Sequence, residues 1–184
     1  MLLKIIFAGS GGQGVLTVAN ILGNAAMYEN YHVTYLPSYG AAMRGGTANC
    51  TICISDEEIA SPVASEPDFV VALNPPSAAT FGNRLEPGGQ LFYNSNMLGK
   101  LPYRGDINFY PVPANEIAKK AGSEKSANVV MLGAFIKLTN IMKIDSVYKS
   151  VEYLLGEKKK LIEISKKAIL MGYDGFPFGN GVTV

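Results

Sequence analysis

The sequence predicts an α/β fold: a single three-layer α/β/α domain over residues 1–184, with a largely parallel or mixed sheet and a Rossmann-like first βα unit. Three observations predict it. The chain opens on a strand of the fully buried type that runs straight into a glycine cluster and then a helix. Short apolar runs alternate with helical segments after that, which is the pattern of parallel strands covered on both faces. The chain has 184 residues, 48% of them hydrophobic, enough for one full core, and it shows no internal repeat or low-complexity linker.

The elements follow in order. Leu2 to Ala8 is apolar with little alternation, so it reads as a strand buried on both faces. Val15 to Tyr28 places Val15, Val18, Leu22 and Ala26 at helical spacing. His32 to Leu36 is a short strand, and Thr47 to Ser55 (TANCTICIS) is rich in strand-favouring residues. Asp68 to Asn74 is another continuous apolar strand, after which Pro75 opens a helix to about Leu85. Gln90 to Tyr93 and Ile107 to Val112 are later strands. Ala114 to Ala121 is a helix stopped by Gly122. From Ser126 onward the pattern is helical, in three segments broken near Lys143 and Gly156. Ser126 to Met142 is apolar on nearly every side, so it belongs at the centre of the fold or at a subunit interface. The tail from Gly172, GYDGFPFGNGVTV, mixes glycine with Tyr173, Phe176 and Phe178 and, short of a core role, reads as a segment that orders against a partner.

Composition excludes several classes of function. A net charge of +1 leaves no electrostatic footprint for nucleic acid or an anionic membrane. The longest apolar run, Val129 to Ile136, ends at Lys137, far short of the roughly 20 residues a membrane span needs. The opening MLLKIIFAGS lacks a basic n-region and continues into the glycine cluster, so it reads as a strand and not a signal peptide. Two cysteines and no export signal point to a reducing cytoplasm.

FAGSGGQGVL, from Phe7 to Leu16, carries Gly9, Gly11, Gly12 and Gly14. Gly9, Gly11 and Gly14 satisfy G-x-G-x-x-G between a strand and a helix. Glycine lets the backbone turn tightly and approach a ligand closely. The helix N-terminus that follows offers free N–H groups and positive partial charge, which suit a phosphate or carboxylate. A dinucleotide site also wants an acidic residue about 20 positions on, at the end of the second strand. HVTYLPS offers Pro37 and Ser38 there and no carboxylate. No Gly-Lys-Ser/Thr follows, which excludes a Walker A loop. Two readings stay open: an anion cradle, or a tight strand-to-helix turn with no ligand. SYGAAMRGG, from Ser38 to Gly46, is the second unusual loop. Arg44, flanked by flexible residues just past a strand end, either reaches a phosphate or carboxylate bidentately or is an ordinary surface arginine.

These two loops together resemble the gamma subunit of 2-oxoacid:ferredoxin oxidoreductases. The residues that carry the likeness are Gly9-Ser-Gly-Gly-Gln-Gly-Val15 and Ser38-Tyr-Gly-Ala-Ala-Met-Arg-Gly-Gly46. Val71-Ala-Leu-Asn-Pro-Pro-Ser77, Asn128-Val-Val-Met-Leu-Gly-Ala134 and the helix ending Ala168-Ile-Leu-Met-Gly-Tyr173 add to it, in the expected order over most of the chain. Ala41-Ala42 departs from the Pro-Glu that such subunits often carry, so this sequence has no acid at that point.

The resemblance implies an assembly that oxidatively decarboxylates a 2-oxoacid with thiamine diphosphate and Mg2+. Electrons pass through [4Fe-4S] clusters to ferredoxin and the acyl group passes to coenzyme A. Those cofactors, coenzyme A apart, would sit on alpha, beta and delta-type partner subunits. This chain would be an accessory subunit on the coenzyme A side, inactive in isolation. Carried over by position, Gly9, Ser10, Gly11, Gly12, Gln13, Gly14 and Val15 would form one functional loop. Tyr39, Gly40, Arg44, Gly45 and Gly46 would form the other, with coenzyme A as the ligand. Met43-Arg44-Gly45-Gly46 looks closer to the 2-oxoglutarate and branched-chain types than to the pyruvate type. A stand-alone nucleotide or small-molecule module and an NAD(P)-dependent enzyme are the rival readings.

The remaining candidates read as structural. Cys50 and Cys53 form C-x-x-C, but residues three apart in a strand point to opposite faces, so they cannot share a metal or a disulfide. His32 is the lone histidine and has no triad around it. Lys158 to Lys160, Lys166 and Lys167 interleave with Glu157 and Glu163 as a solvated helix face. Asn128 follows Ser126 at a helix start and reads as a cap, with a packing or interface role left open by the resemblance. No catalytic residue and no metal ligand emerges. The apolar Ser126–Met142 helix and the aromatic tail predict self-association of the isolated chain.

Overall fold

The computed structural model describes residues 1–40, 45–97 and 99–175. In chain order the elements are β1 (Leu2–Ser10), α1 (Val15–Tyr28), β2 (His32–Tyr39), β3 (Thr47–Ser55), β4 (Phe69–Ala72), α2 (Pro75–Gly82), β5 (Gln90–Asn94), β6 (Asn108–Val112), α3 (Ala114–Ala121), α4 (Ala127–Thr139), α5 (Ile144–Leu155) and α6 (Lys159–Asp174). A 3-10 turn, Glu124–Ser126, leads into α4.

The six strands form one sheet in the order β2-β3-β1-β4-β5-β6. β1, β4, β5 and β6 run parallel, while β3 is antiparallel to both β1 and β2. The sheet is therefore mixed. The physical reason is the connection between β2 and β3: it is too short for the crossover that parallel neighbours need, so the two strands close as a hairpin. Pairing with β3 also carries β2 through Pro37 to Tyr39, beyond the predicted end at Leu36. Gly40 N–H donates to the Thr47 carbonyl at 3.0 Å, which sets the alternation. By that alternation residues 38 and 36 bond inward, and Pro37 lies on the free edge. Its missing N–H blunts the longest exposed edge of the sheet.

One face of the sheet carries Ile5, Phe7, Ile52, Val71 and Phe92 against α1 and α4. Phe135 of α4 sits edge-on to Phe7, Phe69 and Phe92, with ring centroids 6.1, 5.5 and 5.2 Å away. α5 and α6 form an outer layer over α1 and α4. That answers the question α4 poses: Val129 to Ile136 are all buried because the sheet lies on one side and α6 on the other. The helix is the centre of the fold, so the expectation that it leaves sticky surface on the isolated chain is corrected here. Gly133 and Gly172 let the two helices touch backbone to backbone. A Cβ at Gly133 would lie 2.1 Å from the Ile169 carbonyl oxygen, and one at Gly172 2.2 Å from that of Val130. The opposite face is thinner, with Ile6, Ala8, Val70, Ala72 and Leu91 under α2. Cys50 belongs to the first core and Cys53 faces the other way, its Sγ 3.8 Å from the Pro62 carbonyl oxygen. Among the described residues no helix is long and apolar enough to cross a membrane.

Candidate functional site

β1 ends at Ser10 and the chain turns through Gly11–Gly14 into α1. Gly12 and Gly14 have φ of +97° and +74°, a region that disfavours any side chain. Gly14 is the N-cap residue of α1, with no side-chain cap. Gln13 N–H closes the turn on the Ser10 carbonyl at 3.0 Å, and Val18 N–H reaches the Gly14 carbonyl at 3.1 Å. Among the described residues nothing accepts from the N–H groups of Gly12, Gly14, Val15, Leu16 and Thr17. Donors grouped in this way at the positive end of a 14-residue helix suit an anion.

Beside these donors lies a cleft of about 500 Å³, lined by Ser10, Gly11, Gly12, Gly14, Val15, Leu16, Thr17, Tyr39, Thr47 and Ala48. It opens on the β3 side of the loop. The second glycine loop borders it: Gly11 N–H donates to the Gly46 carbonyl at 2.8 Å, and Gly45 N–H to the Gly11 carbonyl at 3.4 Å. Tyr39 ends β2 there, 67% exposed, so its ring is free to cover a bound group. A Cβ on Gly12 would meet nothing within 4 Å, so that backbone is open to close approach.

The structure thus brings Ser10, Gly11, Gly12, Gly14, Val15 and Tyr39 onto one cleft, with Gly40, Gly45 and Gly46 in the strand ends beside it. Gly9 is different. It is buried, and a Cβ there would meet Gln13 Oε1 at 2.8 Å and Val15 Cγ2 at 2.9 Å, so its role is close packing behind the loop. Gln13 also faces away from the cleft, toward β4. Arg44, with Ala41, Ala42 and Met43, lies outside the described residues, as do Phe176 and Phe178 of the tail.

Sequence reasoning missed the residues that hold the loop. Asn128 does not cap α4; the N-cap is Ser126, and the Asn128 carboxamide reaches 114 positions back to donate to the Gly14 carbonyl at 3.1 Å. Asn74 caps α2 and donates to Ser10 Oγ and to Gln13 Oε1 at 2.8 and 2.9 Å. In the sequence Asn74 reads as the end of the apolar strand from Asp68, just before Pro75, and nothing local pairs it with the loop. Leu16, Thr17, Thr47 and Ala48 complete the wall from positions that carry no motif. Near the cleft, burial pushes the Cys50 thiol up to about 12, and burial together with Cys50 raises Tyr35 to about 12. A thiol held protonated in this way is no nucleophile. Among the described residues no three His, Cys, Asp or Glu side chains are grouped to hold a metal.

Comparison with known proteins locates this architecture. The family model described as pyruvate ferredoxin/flavodoxin oxidoreductase matches residues 4–175. The ketoisovalerate oxidoreductase subunit VorA of Methanothermobacter thermautotrophicus is 35% identical over 92% of this chain, and the match covers 35% of that protein. The chain spans about a third of the length of the first curated relatives it matches. The 2-oxoglutarate synthase subunit KorC of Methanocaldococcus jannaschii is 33% identical, over 89% of this chain and 90% of its own length. Among solved structures, the keto/oxoacid ferredoxin oxidoreductase gamma subunit from Geobacter sulfurreducens superposes with a TM-score of 0.79 at 29% identity, covering 93% of this chain and 96% of that one. The 2-oxoglutarate:ferredoxin oxidoreductase from Magnetococcus marinus, solved with 2-oxoglutarate, coenzyme A and succinyl-CoA bound, has the same fold at a TM-score of 0.86 and 22% identity. It covers 97% of this chain and 32% of that one.

Proposed function

This chain belongs to the pyruvate ferredoxin/flavodoxin oxidoreductase family, and from that premise we propose that it is the gamma-type subunit of a cytoplasmic 2-oxoacid:ferredoxin oxidoreductase. The assembly would convert a 2-oxoacid and coenzyme A to acyl-CoA and CO2 while two electrons reduce ferredoxin. Thiamine diphosphate, Mg2+ and the [4Fe-4S] clusters belong to alpha, beta and delta-type partners in this reading. The chain itself forms the coenzyme A side, and its isolated form is inactive. The names of its relatives favour a branched-chain 2-oxoacid or 2-oxoglutarate as substrate.

The observation that carries the proposal is the set of unpartnered N–H donors along a cleft of about 500 Å³, formed where the two glycine loops of the family meet. When coenzyme A binds, it supplies the thiol that accepts the acyl group. This chain's part is to bind and orient. The N–H groups of Gly12, Gly14, Val15, Leu16 and Thr17 would hold a phosphate, and Val15, Leu16, Ala48 and Tyr39 would exclude water from its surroundings. In the same proposal Arg44 contacts coenzyme A or a partner at the mouth, and Arg44→Lys, which loses the planar fork, raises the coenzyme A KM. A nicotinamide dinucleotide fits less well, because β2 ends on Pro37, Ser38 and Tyr39 with no carboxylate for a ribose.

Calorimetric titration with coenzyme A, sulfate and NADH tests the reading. Coenzyme A should bind, sulfate should compete with it, and Gly12→Val should abolish both because its side chain would stand in the approach path. Unchanged affinity in Gly12→Val makes the loop a turn only. Tight NADH binding would restore the dehydrogenase reading.

A further inference from the structure

In an open α/β sheet the ligand crevice lies where neighbouring parallel strands send their helices to opposite faces. Here that point is between β1 and β4, because α1 leaves on one face and α2 on the other. The chain bridges that crevice with its own side chains. Asn74 Oδ1 accepts from Ser77 N–H at 3.0 Å, which caps α2. Asn74 Nδ2 donates to Ser10 Oγ at 2.8 Å and to Gln13 Oε1 at 2.9 Å. Gln13 Oε1 also accepts from Ser10 N–H at 2.7 Å, and its Nε2 reaches the Leu73 carbonyl at 3.5 Å. Asn74 is only 7% exposed, so water competes poorly for these bonds. The loop is thus pinned along its β4 side. Its free donors belong to residues that line the cleft on the β3 side.

We infer that Asn74 and Gln13 are positioning residues of the cradle. Their brace spans the β1–β4 crevice and fixes the turn whose free donors border the cleft on the β3 side. The inference rests on the glycine loop being the coenzyme A cradle. It adds which residues shape that cradle.

Asn74→Ser separates the brace from the cap. Serine is a good N-cap and can still accept from Ser77 N–H, but it is too short to reach Ser10 and Gln13. The expected result is a still-cooperative melting transition and a coenzyme A affinity weakened roughly ten- to thirtyfold, the scale of two lost hydrogen bonds. In the assembled oxidoreductase the KM for coenzyme A should rise by the same factor while the KM for the 2-oxoacid stays put. Gln13→Ala cuts the brace from the other end and should reproduce the shift, which keeps the test alive if Asn74→Ser fails to fold. Wild-type coenzyme A affinity in both variants, with affinity lost in Gly12→Val, overturns the positioning role and leaves the cradle intact. Wild-type affinity in all three overturns the cradle and the brace together.

Discussion

Gly14 carries two constraints at once. Its φ is +74°, and a Cβ there would lie 2.4 Å from Asn128 Nδ2. Gly14→Ala should therefore cost about 1–3 kcal/mol in urea unfolding. Gly12, with φ +97° and open space around it, should cost only about 1 kcal/mol when replaced by alanine. An equal loss at both positions would mean that the Asn128 contact is unimportant. The glycines were legible in the sequence because a strand, a G-x-G-x-x-G run and a helix are contiguous. Their supports were not, because Asn74 and Asn128 come from 64 and 114 positions away, and locally one reads as a strand end and the other as an ordinary cap. Cys50 was legible as a buried hydrophobe, and its titration follows from that. In the unfolded chain the thiol ionises near its ordinary value of 9.0, whereas burial holds it to about 12 in the fold. Its contribution to stability is whole below pH 9 and is lost as the pH rises toward 12. Urea midpoints should fall over that window, and less steeply in Cys50→Ala. Equal slopes in the two proteins would contradict the burial.

Among the elements, α4 and α6 hold the most specific packing. Gly133→Ala or Gly172→Ala would drive a methyl group into a facing carbonyl, so each should cost about 2–3 kcal/mol and separate the helices. Ser150 on α5 makes a contrast on the same layer. Its buried hydroxyl has no partner among the described residues, so Ser150→Ala should be neutral or stabilise by up to about 1 kcal/mol. Denaturant unfolding of the three variants checks both statements. The apolar girth of α4 was readable, but what covers it was not: an all-round apolar helix has no face to indicate its neighbours. Gly172 read as the start of a tail because the glycines that follow it hide a helix continuing to Asp174. The antiparallel direction of β3 was not legible from the alternation of strands and helices, because it follows from the short connection between Tyr39 and Thr47.

The whole molecule buries α4 internally and ends its sheet on an edge blunted by Pro37, so the isolated chain should fold without help from partners. Cys50 and Cys53 lie on opposite faces of β3, and replacing both by alanine should leave coenzyme A-dependent turnover of the assembly largely intact. Bound iron or zinc in the isolated chain would contradict that. The central claim is that this chain completes the coenzyme A side of an oxidoreductase whose chemistry lies in other subunits. Reconstitution measures it most directly: ferredoxin reduction by the thiamine-binding and cluster-bearing subunits, with 2-oxoglutarate or a branched-chain 2-oxoacid, before and after this chain is added. The account predicts little coenzyme A-dependent turnover without the chain, full turnover at one equivalent, and none from the chain alone. Full activity in its absence, or 2-oxoacid oxidation by the chain alone, would contradict it.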